Sequence, residues 1–208
     1  MRIRALALVL SASAVLSACG GQPESGGPPP PPRAPVGEAP AAFPPPAPVE
    51  LDSSPAIEQI RQRGKLIVGI RSDEPKFVER AGAGEYRGFD VEIARILAER
   101  IGLDAENGIA FRRLPPELVL DAMSGGNVDV QLGGFDPSAS QMTTVGPYVI
   151  TGSPGAEEEH FIGIRPGDDA MREELQRILD EAIADGSWQR AYDSTLGKAG
   201  VQARPLPR

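Results

Sequence analysis

Residues 84–102 read GEYRGFDVEIARILAERIG, a glycine-rich turn that runs straight into an amphipathic helix. The turn delivers Asp90 to the position just before the helix, where a carboxylate can accept the orphan N–H groups of the first turn. Phe89, Ile93, Ile96, Leu97 and Ile101 then fall on one face at helical spacing, and Gly102 is placed to stop the helix. Taken alone, the stretch suits the first helix of any α/β protein.

The flanks narrow the reading. On the amino side, Ser54 and Pro55 are a cap and a first-turn proline, Gly64 ends that short helix, and Leu66 to Ile70 are an apolar run suited to a buried strand. On the carboxyl side come a second candidate strand at Ile109 to Phe111, a short helix from Glu117 to Met123, and a third strand within Asn127 to Gly134. Further on, Met171, Leu175, Ile178, Leu179, Ala182 and Ile183 make an apolar stripe, with Asp168 and Asp169 at its positive end and Gly186 as its stop. Trp188, Tyr192 and Leu196 repeat at i, i+4, i+8, a pattern of core packing. Helix and strand alternate throughout. The expected fold class is α/β, a mostly parallel sheet flanked by helices, with ligands met at the carboxyl ends of the strands.

The amino terminus carries arginines at 2 and 4, an apolar stretch from Ala5 to Leu16, and then Leu16-Ser17-Ala18-Cys19-Gly20. That order reads as a secretory signal over 1–18, too short for a permanent span, closing on a lipobox-like site that would lipidate Cys19. Cys19 is the only cysteine in the chain, which favours that reading over a chance residue. Residues 20–50 hold twelve prolines and five glycines, so 19–52 is expected to be an extended tether rather than part of a core. Residues 51–208 carry 18 Lys and Arg against 26 Asp and Glu, an acidic balance that argues against nucleic acid and leaves the lipid as the membrane attachment.

On GKLIVGI, GEYRGFDVEIARILAERIG, GGNVDVQLGG, GPYVITG, FIGIRPGD and DGSWQRAYDSTLG, the chain resembles the family 3 solute-binding proteins of polar amino-acid ABC importers, the glutamate and glutamine group in particular. The resemblance implies one lobe of a type II periplasmic-binding-protein-like fold, an extracytoplasmic location, a polar amino acid or other small polar solute as ligand and an ABC permease as partner. It also implies two lobes. Here Gly146 to Gly152 resembles the outgoing crossing and Phe161 to Arg165 the return, with only SPGAEEEH between. The expected lobe therefore runs over 53–208, built from 53–152 and completed by 161–200, with a short loop at 153–160 where a second lobe would stand.

The family holds an α-carboxylate with an arginine and a threonine after the third strand. The matching positions here are Gln141 and Asp136, and neither can pair with a carboxylate as a guanidinium does. Pro115 and Pro116 occupy the region of the family's aromatic platform. The candidate ligand-binding residues are Arg71, Ser72, Asp73 and Glu74 after the first strand and Gly134, Phe135, Asp136 and Gln141 after the third, with Phe77 and Tyr86 as apolar walls. The cleft has either been retuned toward a cationic or uncharged ligand or has ceased to bind one, and the second alternative is the stronger.

No catalytic residue, metal ligand or cofactor is expected. His160 stands in the short EEEH loop with no nucleophile in an elbow context, and a consecutive acidic run does not converge on a metal. Two functions remain open: a membrane-anchored solute-binding-like lipoprotein with a weakened or lost site, or a non-transport interaction lipoprotein that pairs its exposed lobe face with a protein or with itself.

Overall fold

The computed structural model describes residues 54–71, 74–82, 84–138 and 140–206. The signal sequence, Cys19 and the tether lie outside the described residues, as do Ser72 and Asp73.

Helix α1 (Pro55–Arg63) starts and stops where the sequence places it. Ser54 Oγ accepts the Ile57 N–H at 3.4 Å, and Gly64 closes the helix in the left-handed conformation at φ 69°. Strand β1 (Leu66–Ile70) follows, then the small antiparallel pair β2 (Glu79–Arg80) and β3 (Tyr86–Arg87).

Helix α2 (Phe89–Arg100) corrects one expectation, because its cap is Gly88 and not Asp90. Gly88 sits at φ 127°, and a Cβ there would stand 2.2 Å from the Phe77 carbonyl oxygen, so only glycine fits. That close approach lets the Asp90 N–H donate to Phe77 O at 3.1 Å and carries Asp90 into the first turn, where its side chain is buried.

The chain continues through β4 (Ile109–Arg113), a 3₁₀ turn at Pro116–Leu118, α3 (Val119–Ser124), β5 (Val130–Leu132), β6 (Thr143–Ser153), β7 (Ala156–Ile164), α4 (Asp169–Ala184), α5 (Ser187–Ser194) and β8 (Ala203–Arg204). The six-stranded sheet has the order β4-β1-β5-β7-β6-β8. β1 is parallel to β4 and β5, while β5–β7, β6–β7 and β6–β8 are antiparallel, so four of the six strands share one direction.

Residues 153–160 are not a loop. β6 and β7 form one long hairpin, with Val149 opposite His160 and Ser153 opposite Ala156, and the turn is only Pro154-Gly155. The run Glu157-Glu158-Glu159 hides the strand because consecutive charges erase the alternation that would mark it, yet each residue is exposed beyond the body of the sheet and pays no burial penalty. Nothing of lobe size stands between these two strands.

The core lies on one sheet face. Val68, Ile70, Val130, Leu132, Ile162 and Ile164 meet the apolar sides of α1, α2, α4 and α5, including Ile57, Ile93, Leu97, Leu175, Ile178 and Trp188. The α4 stripe is as expected except that Ile183 is half-buried, and Asp168 Oδ1 caps the helix by accepting the Met171 N–H at 3.0 Å. Trp188 packs edge-on against Phe89, and its indole N–H donates to Tyr148 O at 2.8 Å, a core role.

Candidate functional site

β1, β4 and β5 end at the same edge, and the segments that follow them bring the candidate residues together. Arg71 leaves β1 and lays its aliphatic stem across Gly134, just past β5. A Cβ on Gly134, which is at φ 79°, would fall 1.6 Å from Arg71 Cδ, so the glycine admits the arginine. Arg71 Nη1 lies 3.5 Å from a Glu74 carboxylate oxygen. Ser72 and Asp73 lie outside the described residues.

The segment after β5 walls a pocket of about 290 Å³. Val119, Leu120, Phe135 and Met142 supply its apolar surface, and Asp136, Ser140 and Gln141 its polar groups. Asp136 Oδ1 accepts from the Ser138 backbone N–H at 2.8 Å and from its hydroxyl at 2.6 Å, which holds the carboxylate in a turn. The Ser140 hydroxyl is buried and has no hydrogen-bond partner. Pro116 stands at the pocket wall, and no aromatic ring lines it other than Phe135.

Sheet residues set the floor on this side. Gly69, Gln131 and Gly163 are register partners in one row, and the two glycines leave room that larger side chains fill. A Cβ on Gly163 would come within 3.0 Å of Met142 Sδ and 3.1 Å of the Phe135 ring, so both side chains rest on bare backbone. Gln131 is fully buried and its Oε1 lacks a partner, a feature sequence reasoning missed because a lone glutamine in an apolar strand carries no signal of its partners.

Behind the site lies a buried polar cluster, also missed. The Tyr148 hydroxyl donates to Asp90 Oδ1 at 2.7 Å, and His160 Nε2 lies 3.0 Å from Thr151 Oγ1. The His160 ring packs 4.5 Å from the Phe77 ring, so His160 is a core residue of β7 and not a loop residue, and Phe77 is a core side chain rather than a cleft wall. Burial raises the Asp90 carboxyl to about 7 against the lowering effect of the Tyr148 hydrogen bond, with Glu74 adding to the rise. Burial also pushes the Tyr148 phenol well above its ordinary range and holds His160 below the usual imidazole value. Tyr86 remains half-buried against Phe111, with ring centroids 5.5 Å apart.

Among the described residues, no group of three or more His, Cys, Asp and Glu side chains is placed to hold a metal ion. No helix among them is long and apolar enough to cross a membrane.

Residues 66–198 match the bacterial extracellular solute-binding proteins, family 3, a span that takes in the whole sheet except β8 and every helix except α1. The chain belongs to this family. A glutamine-binding protein of Geobacillus stearothermophilus is 35% identical over 78 residues, which are 37% of this chain and 29% of that protein, so the match spans less than a third of that relative. Among solved structures, a variant of domain 1 of TmArgBP, from T. maritima, in its arginine-bound form superposes with a TM-score of 0.53 at 24% identity, covering 62% of this chain and 98% of that one. The cysteine-binding protein of Campylobacter jejuni gives a TM-score of 0.59 at 14% identity over 68% of this chain and 92% of that one. These likenesses show the α/β fold of amino-acid solute-binding proteins, and the family is one of binding proteins rather than enzymes.

Proposed function

We propose that this protein is a one-lobed solute-binding lipoprotein, anchored outside the cytoplasm through Cys19, whose site holds polar amino acids weakly. Family membership supports the solute-binding class, and the 29% coverage of the glutamine-binding protein is in keeping with a single lobe. The observation that carries the weakened site is the pocket after β5, where Asp136 and Gln141 stand in place of a carboxylate clamp. An aspartate and a neutral amide offer no guanidinium fork, so a carboxylate here lacks the two charge-assisted hydrogen bonds that an arginine would give it. The absent lobe is the lesser cause. Domain 1 of TmArgBP is arginine-bound as an isolated domain, so one lobe of this fold can hold a ligand.

Calorimetry on the full chain tests the reading. Glutamate and glutamine should bind no better than about millimolar, roughly −4 kcal/mol. Micromolar binding of either would overturn it. For the anchor, a labelled fatty acid should mark the wild-type protein and not Cys19→Ala, and an unlabelled wild type would remove the lipoprotein part.

A second reading, an interaction lipoprotein, is favoured by one observation. Leu118, 49% exposed, directly precedes the pocket-lining Val119 and Leu120 in the chain and is the one large exposed hydrophobic side chain among the described residues. Light scattering of wild type against Leu118→Ser separates the two, because self-pairing through that face predicts a dimer that the substitution dissolves.

A further inference from the structure

We propose that β4 is the pairing edge of a two-fold dimer, in which β4 of a second copy adds antiparallel to it and continues the sheet across both chains. β4 is outermost in the order β4-β1-β5-β7-β6-β8, and its five residues pair with β1 without a bulge. The opposite edge, β8, is only two residues long. Among the described residues no strand pairs with the outer side of β4, and the strand carries no proline to block that side.

The register fixes which groups are open. The Leu66 N–H donates to Gly108 O at 2.8 Å and the Leu114 N–H to Ile70 O at 3.4 Å, so the even-numbered positions from 108 to 114 face β1. The N–H and C=O groups of Ile109, Phe111 and Arg113 therefore point away from the sheet. Antiparallel pairing about Phe111 sets Ile109 opposite the second copy's Arg113, and three such pairs exchange about six hydrogen bonds.

A groove of about 630 Å³ lies along the same edge, between β4 and the β2–β3 pair. Ile109, Phe111 and Arg113 share the sheet face of their β1 partners Leu66, Val68 and Ile70, the face on which Tyr86 packs against Phe111. Residues directly opposite on antiparallel strands share a face, so the second copy's Phe111 and Arg113 enter this groove.

Charge makes the edge self-complementary. Glu85 and Glu106 line the groove together with Ile109, and their carboxylates form no hydrogen bond or ion pair with a described residue. The groove's cations, Arg87 and Arg95, are already paired with Glu79 and Glu92. Arg113, at the far end of β4, also makes no hydrogen bond or ion pair with a described residue. A two-fold axis at Phe111 brings the second copy's Arg113 beside Ile109, where Glu85 and Glu106 stand, and returns the same contact on the other side. Parallel pairing in register would instead set Arg113 against Arg113, which opposes like charges.

The dimer rests neither on amino-acid binding nor on the exposed Leu118. Sedimentation equilibrium of the full chain should show it with a Kd below about 100 μM. Arg113→Pro removes an outward N–H without removing a hydrogen bond to β1, and Arg113→Glu places like charges together at Glu85 and Glu106. Each should weaken the dimer about tenfold, with circular dichroism confirming that the chain stays folded. Arg112→Glu is the control, since it makes the same charge change on the opposite face of the strand and should shift Kd less than about threefold. Amide exchange gives an independent signature. The Ile109 and Phe111 N–H groups should slow about tenfold as concentration rises through the Kd, while those of Ala110 and Arg112, already bonded to β1, hold steady. A monomer throughout, an equal loss in Arg112→Glu, or a dimer that Leu118→Ser dissolves and Arg113→Glu spares overturns the proposal.

Discussion

Asp90, 3% exposed against the β6–β7 hairpin, accepts a hydrogen bond from Tyr148 within a packing of Phe77, Phe89 and Trp188, whereas Asp136, on the lip after β5, accepts from Ser138 beside a pocket and an unpartnered Ser140 hydroxyl. The first carboxylate is constrained from several elements at once, by the α2 backbone, the β6 phenol and the surrounding rings. The second accepts from the Ser138 N–H and hydroxyl within its own turn, on the rim of a pocket. Stability is therefore concentrated where the hairpin closes the core, and the lip is free to change its ligand chemistry at little cost in folding.

The largest break in this contrast is truncation after Thr151. It removes β7, α4 and α5, and with them Leu175, Leu179 and Trp188 from the sheet. The fragment should show no cooperative thermal transition by circular dichroism. A transition matching that of the full chain would mean that the sheet does not depend on its carboxyl-terminal half. Next in size is Phe89→Ala, which empties the centre of the aromatic packing and should cost about 3–5 kcal/mol in a denaturant titration. Asp136→Asn, by the same measurement, should stay within about 0.5 kcal/mol. Equal losses at the two sites would erase the distinction between the regions.

Asp90 sharpens the comparison through pH. Its folded pKa of about 7 lies above the ordinary 3.8, so the folded chain holds this proton more tightly than the unfolded one. The stability it contributes is complete below about pH 4 and is lost as pH rises through 7, up to about 4 kcal/mol. Asp90→Asn should flatten that slope between about pH 4 and 7, and an unchanged slope would assign it elsewhere. His160 acts with the opposite sign, since its depressed pKa makes stability fall as pH drops below 6.5. Glu74 acts on both groups, raising each, while Tyr148 lowers Asp90, and Glu158 and Arg71 act in opposite directions on His160. The smallest stability effect concerns the lip alone. Gln141→Arg with Asp136→Thr should leave the denaturation midpoint nearly unmoved while strengthening glutamate binding about tenfold, the worth of one restored charge-assisted contact. No gain would mean that burial, not charge, limits the site.

Local signals carried most of the fold. Ser54, Pro55 and Gly64 bracket α1 because caps and first-turn prolines act through neighbouring backbone, and the α4 stripe is legible because its period is its own. What escaped depends on residues distant in the chain. Asp90 reads as a cap until Phe77 is seen to press against Gly88. His160 reads as part of a charged loop until β6 pairs with it and Phe77 covers its ring. In the site, the residues on which the proposed loss of the clamp rests, Asp136 and Gln141, are read from the sequence directly. The bare backbone under Phe135 and Met142 is not, because Gly163 lies 21 positions beyond Met142 and comes beneath them only when β7 pairs with β5.

The tight turn at Pro154-Gly155 has a kinetic consequence. β6 and β7 join Val149 to His160 across eleven positions, where a chain passing through a second lobe would have to close a loop of about 100 residues before the same strands could meet. The shorter route reduces the closure entropy by roughly 2–3 kcal/mol and turns the longest ladder of the sheet into a nearly local event. A hairpin of this kind zips in microseconds, early enough to act as the template onto which β5 and β8 later pair. Substitutions along Val149 and Ile162 should then slow refolding in proportion to the stability they remove, while those in α1 mainly speed unfolding.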